Sequence, residues 1–192
     1  GAIPHFARGA SLVKQKNWAE ALPALDRAIA LAGGNYLYGR AYLLRAETQA
    51  GLGNFEAAIE DYQLAQEAGE TAPHVASNLV WAFFQTGQFE KAIEAGQIAL
   101  EDNPDDLWLQ LHTAIAILGA GDIKEAESQY RLIMDNAANQ VQDKRALGDD
   151  PSNIWWQLNE ASFQLKTFSN LLNNQKAESP VKEAVNDSDA IA

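Results

Sequence analysis

The chain contains no cysteine. That removes disulfides, thiolate metal sites and cysteine nucleophiles together, and it leaves the redox compartment open. Positive charge is scarce too: 14 Lys and Arg stand against 26 Asp and Glu, a formal net charge of −12 with a pI near 4.6. Such a surface repels a phosphate backbone, so nucleic acid is not an expected partner. It favours solubility and would steer a basic partner. No apolar run approaches the roughly 18 residues that a bilayer span requires. The opening Gly1-Ala2-Ile3-Pro4-His5 has no signal-peptide character. The cytoplasm is therefore the default expectation, with a periplasmic or other extracytoplasmic site expected if a signal or anchor has been removed.

Motifs for chemistry are missing as well. His5, His74 and His112 are far apart and form no ligand-spaced cluster. There is no glycine-rich phosphate loop and no Gly-x-Ser-x-Gly. The acidic pairs Glu60-Asp61 and Asp149-Asp150 are sequence neighbours, whose side chains diverge on a helix or lie in a turn. The sequence thus predicts no catalytic residue, no metal and no cofactor, and the chain is not expected to be an enzyme.

What is present is a repeat. Gly87-Gln88-Phe89-Glu90-Lys91-Ala92-Ile93-Glu94 is preceded by Gly53-Asn54-Phe55-Glu56-Ala57-Ala58-Ile59-Glu60 and followed by Gly121-Asp122-Ile123-Lys124-Glu125-Ala126-Glu127. The alanines at 58, 92 and 126 are 34 residues apart. A weaker copy, Asn17-Trp18-Ala19-Glu20-Ala21-Leu22, lies upstream after a step of 37. A fixed period of this length marks a solenoid of helical hairpins. Apolar residues recur at helical spacing in each half-repeat, and the connectors are short, so consecutive helices pack antiparallel. The helices are expected near 4–16, 18–32, 36–51, 54–68, 73–86, 88–102, 105–119 and 122–138. Asn17 is placed to cap the second of them, and Pro23 inside it predicts a kink or a late start.

These residues resemble the tetratricopeptide repeat (TPR) family. Its second helix opens with glycine, a polar residue and an aromatic, then an alanine three residues on. Gly53, Phe55 and Ala58 match, as do Gly87, Phe89 and Ala92, and Gly121, Ile123 and Ala126 with isoleucine for the aromatic. Later small residues match at Ala28, Ala65 and Ala99, while Ile133 departs. The larger residue between them is Leu25, Tyr62 and Tyr130, and Gly96 departs. The first-helix small position holds Gly9, Ala46 and Ala114, with Val80 oversized. The resemblance covers about residues 2–138. It implies an all-α, right-handed superhelix of four hairpins, at about 2–35, 36–72, 73–106 and 107–138.

Residues 139–153 break the period with a polar, charged stretch, read as an insertion that extends the last helix and then forms a loop. Beyond it, Asn103–Ala114 aligns without gaps on Asp150–Ala161. Residues 154–175 are accordingly expected to form a capping helix like the first helix of a fifth repeat, with the stripe Ile154, Leu158, Ala161, Leu165, Phe168 and Leu172. Such a helix would cover the last apolar face of the array. Residues 176–192, acidic and polar, are expected to be a flexible tail.

The resemblance also implies a function. In TPR proteins one face of the first helices lines a concave groove that binds extended peptides or helices. By alignment the groove residues are Arg40, Leu43 and Glu47 in the second repeat, then His74, Ser77, Trp81, Phe84 and Gln85 in the third. The fourth repeat adds Trp108, Leu111 and Ile115, continued by Leu118. Phe6, Ala10, Val13 and Lys14 extend the groove at one end and Trp155, Leu158 and Ser162 at the other. The two-carboxylate clamp that holds chaperone tails in some TPR domains is absent: Phe6, Ala10, Glu47, Ser77 and Trp81 stand at its positions. The expected function is a non-catalytic interaction scaffold binding a protein or peptide, one with an apolar or basic segment. The alternatives are a small TPR chaperone sheltering a hydrophobic client segment, or an interaction domain of a larger protein.

Overall fold

A computed structural model of the chain describes residues 1–33, 37–70 and 74–150, together with Ser152, Ile154, Trp156, Asn159, Lys166 and Asn170. The described residues contain eight α-helices and no strand: α1 (Ala2–Lys14), α2 (Trp18–Ala32), α3 (Leu37–Gly51), α4 (Phe55–Glu67), α5 (His74–Gln85), α6 (Phe89–Asp102), α7 (Leu107–Gly119) and α8 (Ile123–Leu147). They belong to two compact units, Gly1–Ala116 and Ile117–Ala192, divided within α7.

The repeat glycines end the first helices. Gly87 follows α5 at φ +72, and Gly53 and Gly121 take the same left-handed conformation after α3 and α7. A side chain there would be strained, which explains why glycine recurs at this point of each hairpin. The residue after each glycine takes the N-cap position. Asp122 accepts a hydrogen bond from the Glu125 backbone N–H at 3.1 Å. Asn17 occupies the cap of α2 but donates instead to the Glu20 carboxylate at 3.0 Å. Pro23 does not delay α2, which starts at Trp18.

In the first unit α1 packs on α2, α2 on α3, α3 on α4, α4 on α5 and α5 on α6. The repeat alanines carry this packing: Ala21, Ala58 and Ala92 are fully buried. One core cluster runs from Tyr42 through Tyr62 and Val80 to Leu109 and Ala116. A smaller one joins Ala21, Leu25 and Leu44 to the half-buried Phe6 and Val13. Gly96, which departs from the family pattern, has a local cause. A Cβ built there would lie 2.1 Å from Thr113 Oγ1. Thr113 is itself buried and donates to the Leu109 carbonyl at 2.7 Å. The tyrosine of the preceding repeat has no room one repeat later.

In the second unit, α8 runs on to Leu147. The polar stretch from residue 139 thus extends the last helix, as expected, and the extension ends at Leu147. Ala137 and Val141 keep an apolar stripe and are buried. Lys144 and Arg145 sit in the last turn, where the helix dipole favours cations, and Gly148 closes the helix at φ +81. Ile154 is buried. The rest of the expected capping stripe (Leu158, Ala161, Leu165, Phe168, Leu172), the groove extension Trp155 and Ser162, and the 176–192 tail lie outside the described residues.

Candidate functional site

The eleven expected groove residues divide by burial. Leu43 and Leu111 have no exposed surface, and Ile115 and Ser77 are 2% and 5% exposed. These four are covered and leave almost no side-chain surface for a partner, unlike the other seven. Leu43 is part of the main core cluster. Arg40 is exposed and turns to Glu70, 3.8 Å away, in the connector that follows α4. Glu47 and His74 meet at 3.0 Å, Oε1 to Nε2, tying α3 to the start of α5. Gln85 is exposed at the end of α5.

The remaining three, Trp81, Phe84 and Trp108, are half-buried and belong to one aromatic ladder. Phe89 meets Phe84 at 5.7 Å between ring centroids, and Phe84 stacks on Trp81 at 5.3 Å with 24° between planes. Trp81 stacks on His112 at 5.2 Å and 30°, and His112 meets Trp108 at 5.5 Å and 39°. These offset geometries are those that aromatic quadrupoles favour. Trp81 and Phe84 reach each other because they are three apart on α5, and Trp108 and His112 because they are four apart on α7.

His112, absent from the expected groove, is the centre of this ladder. Its Nδ1 lies 2.9 Å from the Ser77 carbonyl oxygen. A carbonyl only accepts, so Nδ1 carries the proton and α7 is tied to the backbone of α5. Burial holds the His112 pKa below the ordinary imidazole value, opposed by the bond to Ser77 and the charge of Asp106. The ring is therefore neutral at physiological pH. Its spacing of four from Trp108 was the available signal, and this histidine stands as an aromatic rung between Trp81 and Trp108. Among the described residues no group of three or more His, Asp or Glu is placed to hold a metal ion, and no helix is long and apolar enough to cross a membrane.

Half-buried rings of the first helices α5 and α7 thus meet in a single ladder. The tetratricopeptide repeat family model matches residues 6–73 and 77–141, the spans of α1–α4 and α5–α8. This chain is a TPR protein. Its fold is all-α and solenoid-like, of the type used as protein–protein interaction scaffolds. It is similar to a crystal structure of MamA, with a TM-score of 0.66 and 17% identity over 74% of this chain and 76% of that one. A MamA fragment from Desulfovibrio magneticus gives 0.64 and 12% over 91% and 96%. YrrB, titled a TPR protein with an unusual peptide-binding site, gives 0.61 and 18% over 92% of each chain. At these identities the likeness establishes the fold alone. No curated protein matches the sequence.

Proposed function

We propose that this TPR protein is a non-catalytic interaction module that binds a peptide or helix of a partner protein along the aromatic ladder of α5 and α7. The observation that carries this reading is the ladder itself. Trp81, Phe84 and Trp108 keep part of their surface in solvent while their ring faces are fixed by stacking. Rigid, partly exposed aromatics bind at low entropic cost and are the usual hot spots of interfaces. The Glu47–His74 pair and Gln85 supply polar contacts at its edge. The peptide-binding site named in YrrB's title supports the same reading by analogy of fold.

The test uses peptides selected from a displayed 12-residue library on the immobilised protein, with affinity read by fluorescence anisotropy. Trp81→Ala is expected to weaken the best peptide by about 2 kcal/mol or more, the hot-spot range. Because Trp81 is only half-buried, the accompanying loss of stability should be about 1–3 kcal/mol, leaving the protein folded at 25 °C. Equal affinity for Trp81→Ala, Trp108→Ala and the parent protein would remove the ladder from the binding site.

A further inference from the structure

A second surface lies on the helices opposite the ladder. The positions of the 34-residue repeat expose it. On α3, Arg45 reaches both neighbouring second helices: its Nη1 is 2.8 Å from Asp26 on α2, and its Nε and Nη2 hold the two oxygens of Asp61 on α4 at 2.8 and 2.7 Å. One repeat later the position of Arg45 is taken by Leu79, and that of Asp61 by Ala95. The space the ion network fills between α2 and α4 is left open between α4 and α6. It forms a cleft of about 470 Å³ with Val75 and Leu79 at its floor, Ala95 and Ile98 on one wall, and Gln66 and Asp102 at its rim. Val75 and Leu79 are buried core residues, whereas Ile98 is 60% exposed, a large apolar side chain held in water beside an apolar hollow.

The charge on the two helices that flank the cleft is predominantly negative, although the Arg40 guanidinium lies 3.8 Å from Glu70 at its edge. Helix α4 carries three exposed carboxylates and α6 four, against the single Lys91. That lysine is turned to Gln88 at the far end of α6. A second copy of this chain, at net charge −12, would meet strong like-charge repulsion on this face. We infer that the cleft between α4 and α6 is a docking site for a cationic amphipathic segment of a partner protein. One large apolar side chain of that segment enters against Leu79, Ala95 and Ile98, while a flanking lysine or arginine faces Asp102. The hollow supplies burial for the anchor, and the carboxylate rim supplies steering and orientation. The site is separate from the aromatic ladder, so a partner can engage either surface alone.

The probe is a fluorescein-labelled 16-residue helix-forming peptide of Leu, Ala and Lys with its leucines on one face; a counterpart carries Glu for every Lys. The lysine peptide should bind saturably and the glutamate peptide should not. Ile98→Asp, at an exposed position that leaves the core intact, should weaken the lysine peptide by at least about tenfold. Asp102→Lys should do the same. Glu90→Lys makes the same change of net charge about 18 Å away along α6, at ~1.5 Å per residue, and should cost less than about threefold. Leu79→Arg with Ala95→Asp, which rebuilds the ion pair of the preceding repeat inside the hollow, should abolish binding while the protein stays helical. Trp81→Ala should leave this peptide's affinity unchanged, which separates the failure of this site from the failure of the ladder. Equal weakening by Glu90→Lys and Asp102→Lys would reduce the effect to net charge and overturn the proposal. So would binding that survives Ile98→Asp, or loss on Trp81→Ala. Sedimentation showing a dimer of the protein alone that Ile98→Asp dissociates would assign the cleft to self-association instead, and would equally overturn it.

Discussion

Two junctions between repeats occupy equivalent positions and are built from opposite materials. Around α3 the neighbouring second helices are joined by charge: Arg45 is held between Asp26 and Asp61, with its guanidinium 5.3 Å from the Tyr42 ring centroid. Around α5 the same positions carry Leu79 and Ala95, the second helices stand apart over a cleft, and the first helices are joined by aromatic rings. The repeat fixes the backbone through its alanines and turn glycines. It leaves the material between helices free to vary, so one junction is closed and structural while the next is open on one face and ring-lined on the other. The ion network resists exchange with solvent because Asp61 is 4% exposed and Arg45 23% at the side chain. The ladder keeps surface available.

The largest effect is expected from breaking the closed junction. Asp61→Ala leaves the Arg45 guanidinium without its bidentate partner, and Arg45→Ala leaves a buried carboxylate unpaired. Each should destabilise the protein by about 3–5 kcal/mol, measured by urea unfolding. The double substitution Arg45→Leu with Asp61→Ala, which copies the next repeat, should recover most of that loss, since apolar residues replace a buried pair at little net cost. A double variant as unstable as either single one would show that the network holds the fold rather than filling space. Either result sharpens the comparison, because the double variant should also present an apolar hollow between α2 and α4.

A smaller effect is expected at Gly96. Gly96→Ala forces its Cβ onto Thr113 and should cost about 1–3 kcal/mol, the usual range for overpacking. Thr113→Ala removes the hydroxyl at 2.1 Å and should restore part of the stability in the double variant. Additive losses would mean that α6 and α7 adjust independently, contrary to the close approach the structure places there.

The period, the order and approximate extent of the helices, and the turn glycines were legible because they are local: helical spacing and φ > 0 are properties of a few consecutive residues. The family assignment followed from the same residues. The division of the site was not legible to the same degree. Alignment places Leu43, Leu111 and Ile115 on the face expected to line a groove. Whether such a face is open depends on the size of what lies against it, which no single repeat encodes. Arg40 was placed in the groove by position and is drawn to Glu70 by charge. The cleft was missed because it is defined by what Leu79 and Ala95 lack relative to Arg45 and Asp61. The gap at Gly96 was visible as a departure from the pattern, but its cause, Thr113, lies 17 residues away in sequence. That 139–153 would first extend α8 was legible, but the point where the extension ends, at Leu147, was not, because polar residues between Ala137 and Val141 obscure the buried stripe that continues at helical spacing.

The smallest expected effect is a dependence of stability on pH, and it tests whether the ladder is more than packing. His112 is neutral in the folded protein because burial depresses its pKa below the ordinary value of about 6.5. Above that pH both folded and unfolded chains carry a neutral ring, and stability does not change with pH on its account. As pH falls below about 6.5 the unfolded chain takes up a proton that the folded one refuses. Stability is then lost between the unfolded and the folded pKa. Protonation within the fold would leave the Nδ1 bond to Ser77 intact but place a charge between Trp81 and Trp108, where it is poorly solvated. His112→Phe keeps a ring between the tryptophans and has no proton to gain. It should cost a constant amount for the lost bond to the Ser77 carbonyl and flatten the profile between pH 8 and 5.5. Carboxylates and His5 and His74 contribute equally to both proteins, so the difference between the two urea profiles isolates His112. A difference independent of pH would mean that His112 titrates alike in both states and is open to solvent. The ladder would then be a loose surface array rather than the fixed face that recognition along α5 and α7 requires.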